Sequence, residues 1–331
     1  MIPPVPAEWA PHRAMWVGFP SHEPLWEDDL AEAQGEVAAL ARALAGPGRE
    51  RVKLMVAGEA AARAAADLVD GVPDIEIVSG VFGDVWLRDT GPIFTAAGRA
   101  AAFRFNGWGG KYDLPGDDTV AGQIADQAAA DLTCHDFVLE GGALDHDGAG
   151  TVLTTRQCLL NPNRNRNWRE GEAERALGDA LGARKVLWLG DGLMNDHTDG
   201  HVDNLARFVA PGVVACPIAL GRDDPNAAAY DAAARALAGF SDASGAALKV
   251  TRIPSPGRLM GDDHRVIPAS HMNFVIANGA VFVPTYGGLA GDWAVEALEA
   301  LFPDRTVIGL PSRALITGGG SFHCISQQEP A

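Results

Sequence analysis

The stretch Leu205-Ala206-Arg207-Phe208-Val209-Ala210-Pro211-Gly212-Val213-Val214-Ala215-Cys216-Pro217-Ile218 decides the fold. Two apolar runs, 205–209 and 213–218, flank a Pro-Gly pair, so the segment reads as a hairpin. An alanine-rich helical segment over 225–240 follows, then a short apolar run over 248–253. The order is strand, strand, helix, strand, and it recurs along the chain.

Working outward, further hairpins are predicted at 92–94 with 100–105, at 143–144 with 151–154, and at 274–276 with 281–284. Two of these turn at Asp147-Gly148 and Asn278-Gly279, pairs that tolerate positive φ. Helices are predicted over 28–44, 117–132, 168–181, 225–240 and 289–302. In the first, Leu30, Ala33, Val37, Leu40 and Leu44 recur at the three- and four-residue steps of a one-sided helix. Each helix precedes a strand, at 52–56, 136–139, 185–189, 248–253 and 306–310. A helix over 59–69 and a strand over 75–78 read as an insertion in the first unit. Five helix–strand units and four hairpins match if the chain ends supply the missing strands, with 322–326 beside 14–19. The expectation is a single α/β domain, 1–331, of five pseudo-symmetric ββαβ modules closed into a ring. Closure would remove exposed sheet edges.

Composition narrows the function classes. The chain has 331 residues, 47% hydrophobic and 21% charged, as in ordinary globular proteins. Its formal charge of −17 repels phosphate backbones and anionic lipid, so nucleic acid and membrane partners are not expected, while a small cation is favoured. Association into a homo-oligomer stays open. Cys134, Cys158, Cys216 and Cys324 form no CxxC pair, so no zinc ribbon or disulfide scaffold is read. The first residues carry no basic region and no apolar run of a signal peptide, and a reducing cytoplasm is expected. Cys134, Cys158 and Cys216 are expected in the core.

The residues with chemical potential fall just before, or at, the first hairpin strand of successive modules. They are Asp89 in Leu87-Arg88-Asp89-Thr90-Gly91-Pro92, Glu140 in Leu139-Glu140-Gly141-Gly142, and His201 with Asp203 in Gly200-His201-Val202-Asp203-Asn204. His271 and Asn273 in Ser270-His271-Met272-Asn273 follow, then Cys324 in Gly318-Gly319-Gly320-Ser321-Phe322-His323-Cys324. In a pseudo-symmetric ring these positions face one axis, which predicts one central pocket. His201 and Asp203 would share a face of a strand. Taken singly, each residue has a plainer reading: polar residues on a half-exposed strand, a turn cap for Asp89, a buried inert thiol for Cys324. The three glycines before Cys324 favour a close approach of backbone to a ligand. His197 and His201 form an HxxxH, but the surrounding Asn195-Asp196-His197-Thr198-Asp199-Gly200 is turn-like and lacks the zincin Glu, so no metal is expected.

These strings resemble the agmatine deiminase family of guanidine-modifying enzymes, in order and along nearly the whole chain. The resemblance rests on Pro6-Ala7-Glu8-Trp9, on Asp84-Val85-Trp86-Leu87-Arg88-Asp89-Thr90-Gly91-Pro92, and on Phe105-Asn106-Gly107-Trp108-Gly109-Gly110-Lys111-Tyr112. Glu140-Gly141-Gly142, Thr198-Asp199-Gly200-His201-Val202-Asp203-Asn204, Asn273-Phe274-Val275-Ile276-Ala277-Asn278-Gly279 and the segment around Cys324 complete it. It implies a five-bladed α/β propeller, the pentein fold, and hydrolysis of agmatine to N-carbamoylputrescine and ammonia without metal or organic cofactor, a step of polyamine biosynthesis. It also implies Cys324 as nucleophile, His201 as general acid/base, and Asp89 and Asp203 as guanidinium clamps. Trp86 and Glu140 are implied in the guanidine pocket; Gly319 and Gly320 are candidate substrate contacts through the glycine run, and Trp108 and Lys111 stay open between lid packing and substrate contact. The sequence departs from the family at His197, where an acid near the distal amine is usual, so the far end of the substrate is open.

The chemistry suits those residues. A guanidinium stays protonated and is a poor electrophile, so carboxylates must bind it and hold its carbon against sulfur. Asp89 and Asp203 disfavour a thiolate in the empty site, and thiolate formation is therefore expected to couple to substrate binding. Another guanidino compound, or a binder of polyamines without turnover, are the alternatives. The segment 105–116, rich in Gly and aromatic residues, is a candidate lid.

Overall fold

The computed structural model describes residues 2–331. Strand β1 (His12–Gly18) pairs in parallel with β2 (Val52–Val56), which pairs in parallel with β3 (Ile75–Ser79). Four further sheets each hold three strands: β4 (Ile93–Ala96), β5 (Arg99–Arg104) and β6 (Asp131–Val138); β7 (Asp145–His146), β8 (Thr151–Thr155) and β9 (Lys185–Leu189); β10 (Arg207–Ala210), β11 (Val213–Ile218) and β12 (Lys249–Pro254); β13 (Val275–Ile276), β14 (Ala280–Thr285) and β15 (Thr306–Pro311). In each, the first pair is antiparallel and the last parallel. The final strand, β16 (Ser326–Pro330), runs antiparallel to β1, with Met15 opposite Gln328. The first sheet therefore repeats the pattern of the other four, with β3 added. The five small mixed sheets are the expected modules.

A helix crosses back from the second strand to the third in each module. The helix Leu30–Ala45 turns Ala33, Val37, Leu40, Ala41 and Leu44 inward against β1 and β2. Each of its buried leucines contributes about 1.5–3 kcal/mol. The helices Glu170–Leu181, Ala227–Ala238 and Ala290–Glu299 each bury an apolar stripe in a cluster of their own. Hydrocarbon thus sits between helix and sheet within each module, leaving the polar segments before β4, β7, β10, β13 and β16 to converge elsewhere.

Three expectations shift. The helix expected over 117–132 is only Val120–Gln127, after a turn at Asp117–Thr119. Ala129 adopts φ 51°, the chain reverses, and β6 begins at Asp131 rather than at 136. High alanine propensity had extended the helix, but parallel pairing of Asp131 with Arg99 wins. The closing strand lies at Ser326–Pro330, because residues 322–325 form the turn that holds Cys324. Asn278-Gly279 makes its hairpin without positive φ; Gly279 is needed instead because a Cβ would meet the Pro47 carbonyl oxygen at 2.5 Å. Among the described residues no helix is long and apolar enough to cross a membrane.

Candidate active site

Asp89 sits on the one-turn helix Leu87–Thr90, which leads into β4. His201 and Asp203 lie at a 3-10 turn, Val202–Asn204, and not on a strand, so they do not share a sheet face as expected. They meet because the turn directs both side chains inward, and both are completely buried. Cys324 arrives on the turn before β16, its backbone N–H donating to Asn273 Oδ1 at 3.2 Å.

The carboxylates are held by fixed donors. Asp89 Oδ1 accepts from Gly142 N and Oδ2 from Trp108 Nε1, both at 2.9 Å. Asp203 Oδ2 lies 2.8 Å from His323 Nδ1, 3.2 Å from Asn273 Nδ2 and 3.6 Å from Cys324 Sγ. Among the described residues Asp203 Oδ1 has no partner. His201 Nδ1 lies 3.7 Å from Asp89 Oδ1, and neither ring nitrogen hydrogen-bonds to a described residue. A Cβ on Gly142 would meet His201 Nδ1 at 2.5 Å and Asp89 Oδ1 at 2.8 Å, so only glycine lets these groups pack together.

Burial and like charges set the protonation of the empty site. Burial, Asp203 and Glu140 push the Asp89 carboxyl well above its ordinary range. Burial also raises Asp203, but the hydrogen bond and charge of His323 outweigh it and hold this carboxyl low. Burial drives His201 down to about 3 despite the Asp203 charge, so its imidazole is neutral. Burial, Asp203 and Asp89 push the Cys324 thiol well up. The resting pair is thiol and neutral imidazole, and an incoming cation is what would favour ionisation.

A cavity of about 60 Å³ leads to the sulfur, lined by Asp84, Trp86, Asp89, Trp108, Tyr112, Leu114, His197, Thr198, Gly318, Gly319, Gly320 and Cys324. Trp86 is fixed by its Nε1–H, which donates to Asp84 Oδ2 at 2.7 Å, and a Cβ on Gly320 would meet its ring at 2.5 Å. Burial pushes Asp84 up to about 6. The candidate lid is docked, with Trp108 at φ 52° roofing the cavity edge-on to Phe105 and Tyr112. His197 is exposed at the mouth, its Nδ1 2.7 Å from the Tyr112 hydroxyl.

Some expected residues lie elsewhere. Glu140, like His201 and Asp203, does not line the cavity; it lies within 4.8 Å of His201, its Oε1 accepting from Arg164 Nε at 2.6 Å. His271 stacks on Tyr286 and is neutral, held down to about 4 by burial. The HxxxH does not converge, since His197 is exposed and His201 is buried. Cys158 and Cys216 are buried, but Cys134 is exposed on β6 rather than in the core, because that strand lies at a sheet edge.

Sequence reading missed His323, which joins Asp203 to Glu8, and Glu8 in turn binds the buried Arg207. Its adjacency to Cys324 was the available signal. Arg164 was hidden in the loop Asn161-Pro162-Asn163-Arg164-Asn165, which reads as a solvated turn.

The sequence matches the family described as Porphyromonas-type peptidyl-arginine deiminase over residues 4–330. It is 38% identical to the agmatine deiminase of Stutzerimonas stutzeri, covering 99% of this chain and 95% of that one. It is similar in structure to the agmatine deiminase of Enterococcus faecalis, with TM-score 0.92, 33% identity and 99% and 95% of the two chains covered. A substrate-bound C. jejuni agmatine deiminase gives TM-score 0.89 at 26% identity, over 99% and 96%. The chain belongs to the Porphyromonas-type peptidyl-arginine deiminase family, hydrolases of the carbon–nitrogen bonds of guanidino groups.

Proposed function

We propose that this chain hydrolyses agmatine to N-carbamoylputrescine and ammonia, as its similarity to agmatine deiminases suggests. The observation that carries the reading is Cys324 Sγ 3.6 Å from Asp203, at the floor of a cavity that Asp89 also lines. Asp89 and Asp203 bind the guanidinium nitrogens, and Trp86 and Trp108 flank its plane. The cation lowers the proton affinity of the thiol, and the proton passes from Cys324 to His201. Sulfur attacks the guanidinium carbon. His201 returns the proton to the departing nitrogen, which leaves as ammonia, and an amidino-thioether remains. The neutral imidazole then takes a proton from water, and the hydroxide adds to the same carbon. The C–S bond breaks as the new hydroxyl's proton passes to sulfur, giving the ureido product and the thiol, while the imidazolium gives up its proton to the released ammonia or solvent. Glu140, fixed by Arg164, lies beside His201 and biases its charged form.

In this reading the five modules form a five-bladed propeller, one catalytic domain spanning 1–331, in the cytoplasm, where four free cysteines persist. No cofactor enters the scheme, and no partner beyond substrate and further copies of the chain is invoked. A second reading, deimination of another guanidino compound, is favoured by His197 at the cavity mouth. Ammonia release across agmatine, free arginine, peptidyl arginine and longer guanidino-amines separates the two. Agmatine should give the highest kcat/KM, and Cys324→Ser should abolish turnover and the mass adduct trapped by acid quench. Polyamine binding with no ammonia from any guanidine would overturn both readings.

A further inference from the structure

We propose that Lys111 is a positioning residue: through Asp199 it latches the loop 105–112 over the bound guanidinium and holds Arg164 against Glu140. This rests on the deiminase reading above. Four alternating charges run from the lid to the centre. Lys111 Nζ lies 2.6 Å from Asp199 Oδ1, Asp199 Oδ2 2.5 Å from Arg164 Nη1, and Arg164 Nε 2.6 Å from Glu140 Oε1. Burial deepens along the row, from side-chain exposures of 35% and 18% at Lys111 and Asp199 to 0% and 1% at Arg164 and Glu140. An isolated surface pair would contribute little, but a row anchored on buried, mutually polarised members is stronger than its parts.

The same loop grips the site at other points. Trp108 Nε1 donates to Asp89 and Lys111 Nζ also donates to the His197 carbonyl at 2.7 Å. The Gly109 backbone lies so close to Asn163 and Arg164 that a Cβ there would meet them at 2.3 and 2.7 Å. Asp199 itself holds φ 63°, a conformation its neighbours must maintain. Trp108 and Tyr112 line the cavity, so lifting the loop would widen the route to it. Lifting frees Lys111 from Asp199 and Trp108 from Asp89 together. Lys111 therefore sets how much of the enzyme is closed.

The test is the rate at which iodoacetamide alkylates Cys324 in the empty enzyme, followed on the peptide that carries it, alongside kcat and KM for agmatine. Lys111→Met should raise alkylation and lower kcat/KM by roughly fivefold, the shift expected from losing one partly exposed ion pair, with Tm unchanged. Lys111→Arg should restore both. Lys111→Met and Asp199→Asn should be non-additive, the double variant no worse than the poorer single one. Alkylation within twofold of wild type, failure of arginine to restore a folded protein, or additive losses would overturn the latch. The alkylation readout needs no turnover, so an enzyme that releases no ammonia defeats the functional reading separately.

Discussion

Replacing Trp108 by Phe removes one hydrogen bond from one carboxylate and keeps an aromatic ring beneath Phe105 and Tyr112. Among the described residues the indole N–H is the donor to Asp89 Oδ2, and it opposes the rise of this buried carboxyl together with Gly142 N. A hydrogen bond to a charged acceptor contributes about 1.5–3 kcal/mol. At about 1.36 kcal/mol per tenfold change, kcat/KM should fall by about one to two powers of ten. The loss should depend on pH. Asp89 must be ionised to clamp the cation, and without the indole its proton affinity rises further. The acid limb of kcat/KM should move to higher pH, so the variant is impaired more at pH 6 than at pH 8. The assay is ammonia release from agmatine across that range, with Tm as a control for packing. A uniform loss with an unmoved acid limb would refute the hydrogen bond as the contribution of Trp108.

Gly142→Ala should leave the fold assembled but cut turnover by about a hundredfold or more, because its Cβ displaces His201 or Asp89; circular dichroism with ammonia release checks both halves. Arg207→Met leaves Glu8 and Asp145 buried without their shared cation, and should destabilise the protein by about 3–5 kcal/mol in urea titration. The Cys324 thiol lies above the ordinary range, so its alkylation in the empty enzyme should be slower at pH 7 than that of a free thiol and should still be climbing beyond pH 9; a plateau below pH 8 would contradict the protonated resting state.

The sequence carried the fold because each module repeats the same local signals. Val52–Val56 and Lys185–Leu189 were legible to the residue, since each is a short apolar run after an amphipathic helix. Asp131–Val138 was not, because a polar edge strand after an alanine run has no apolar signal of its own. The candidate site residues were legible through their equivalent positions, which placed Asp89, His201, Asp203 and Cys324 ahead of their strands. What escaped was the support around them. His323, Arg164 and Glu8 act across more than a hundred residues of sequence or from polar loops, and such pairings leave no periodic trace. His201 and Asp203 were read as one group but on the wrong element: a spacing of two suits a strand, but here a tight turn brings both inward.

The pairing of Ser326–Pro330 with His12–Gly18 has a consequence for biosynthesis. The strand His12–Gly18 is translated more than three hundred residues before its antiparallel neighbour. Pairings so remote in sequence are slow to form, and Cys324 travels with this one. A nascent chain stalled before residue 324 can assemble the helices and hairpins but lacks Cys324, the sulfur that the proposed scheme requires. Under the proposed scheme, catalytic competence thus waits on the pairing of the strand Ser326–Pro330 with His12–Gly18.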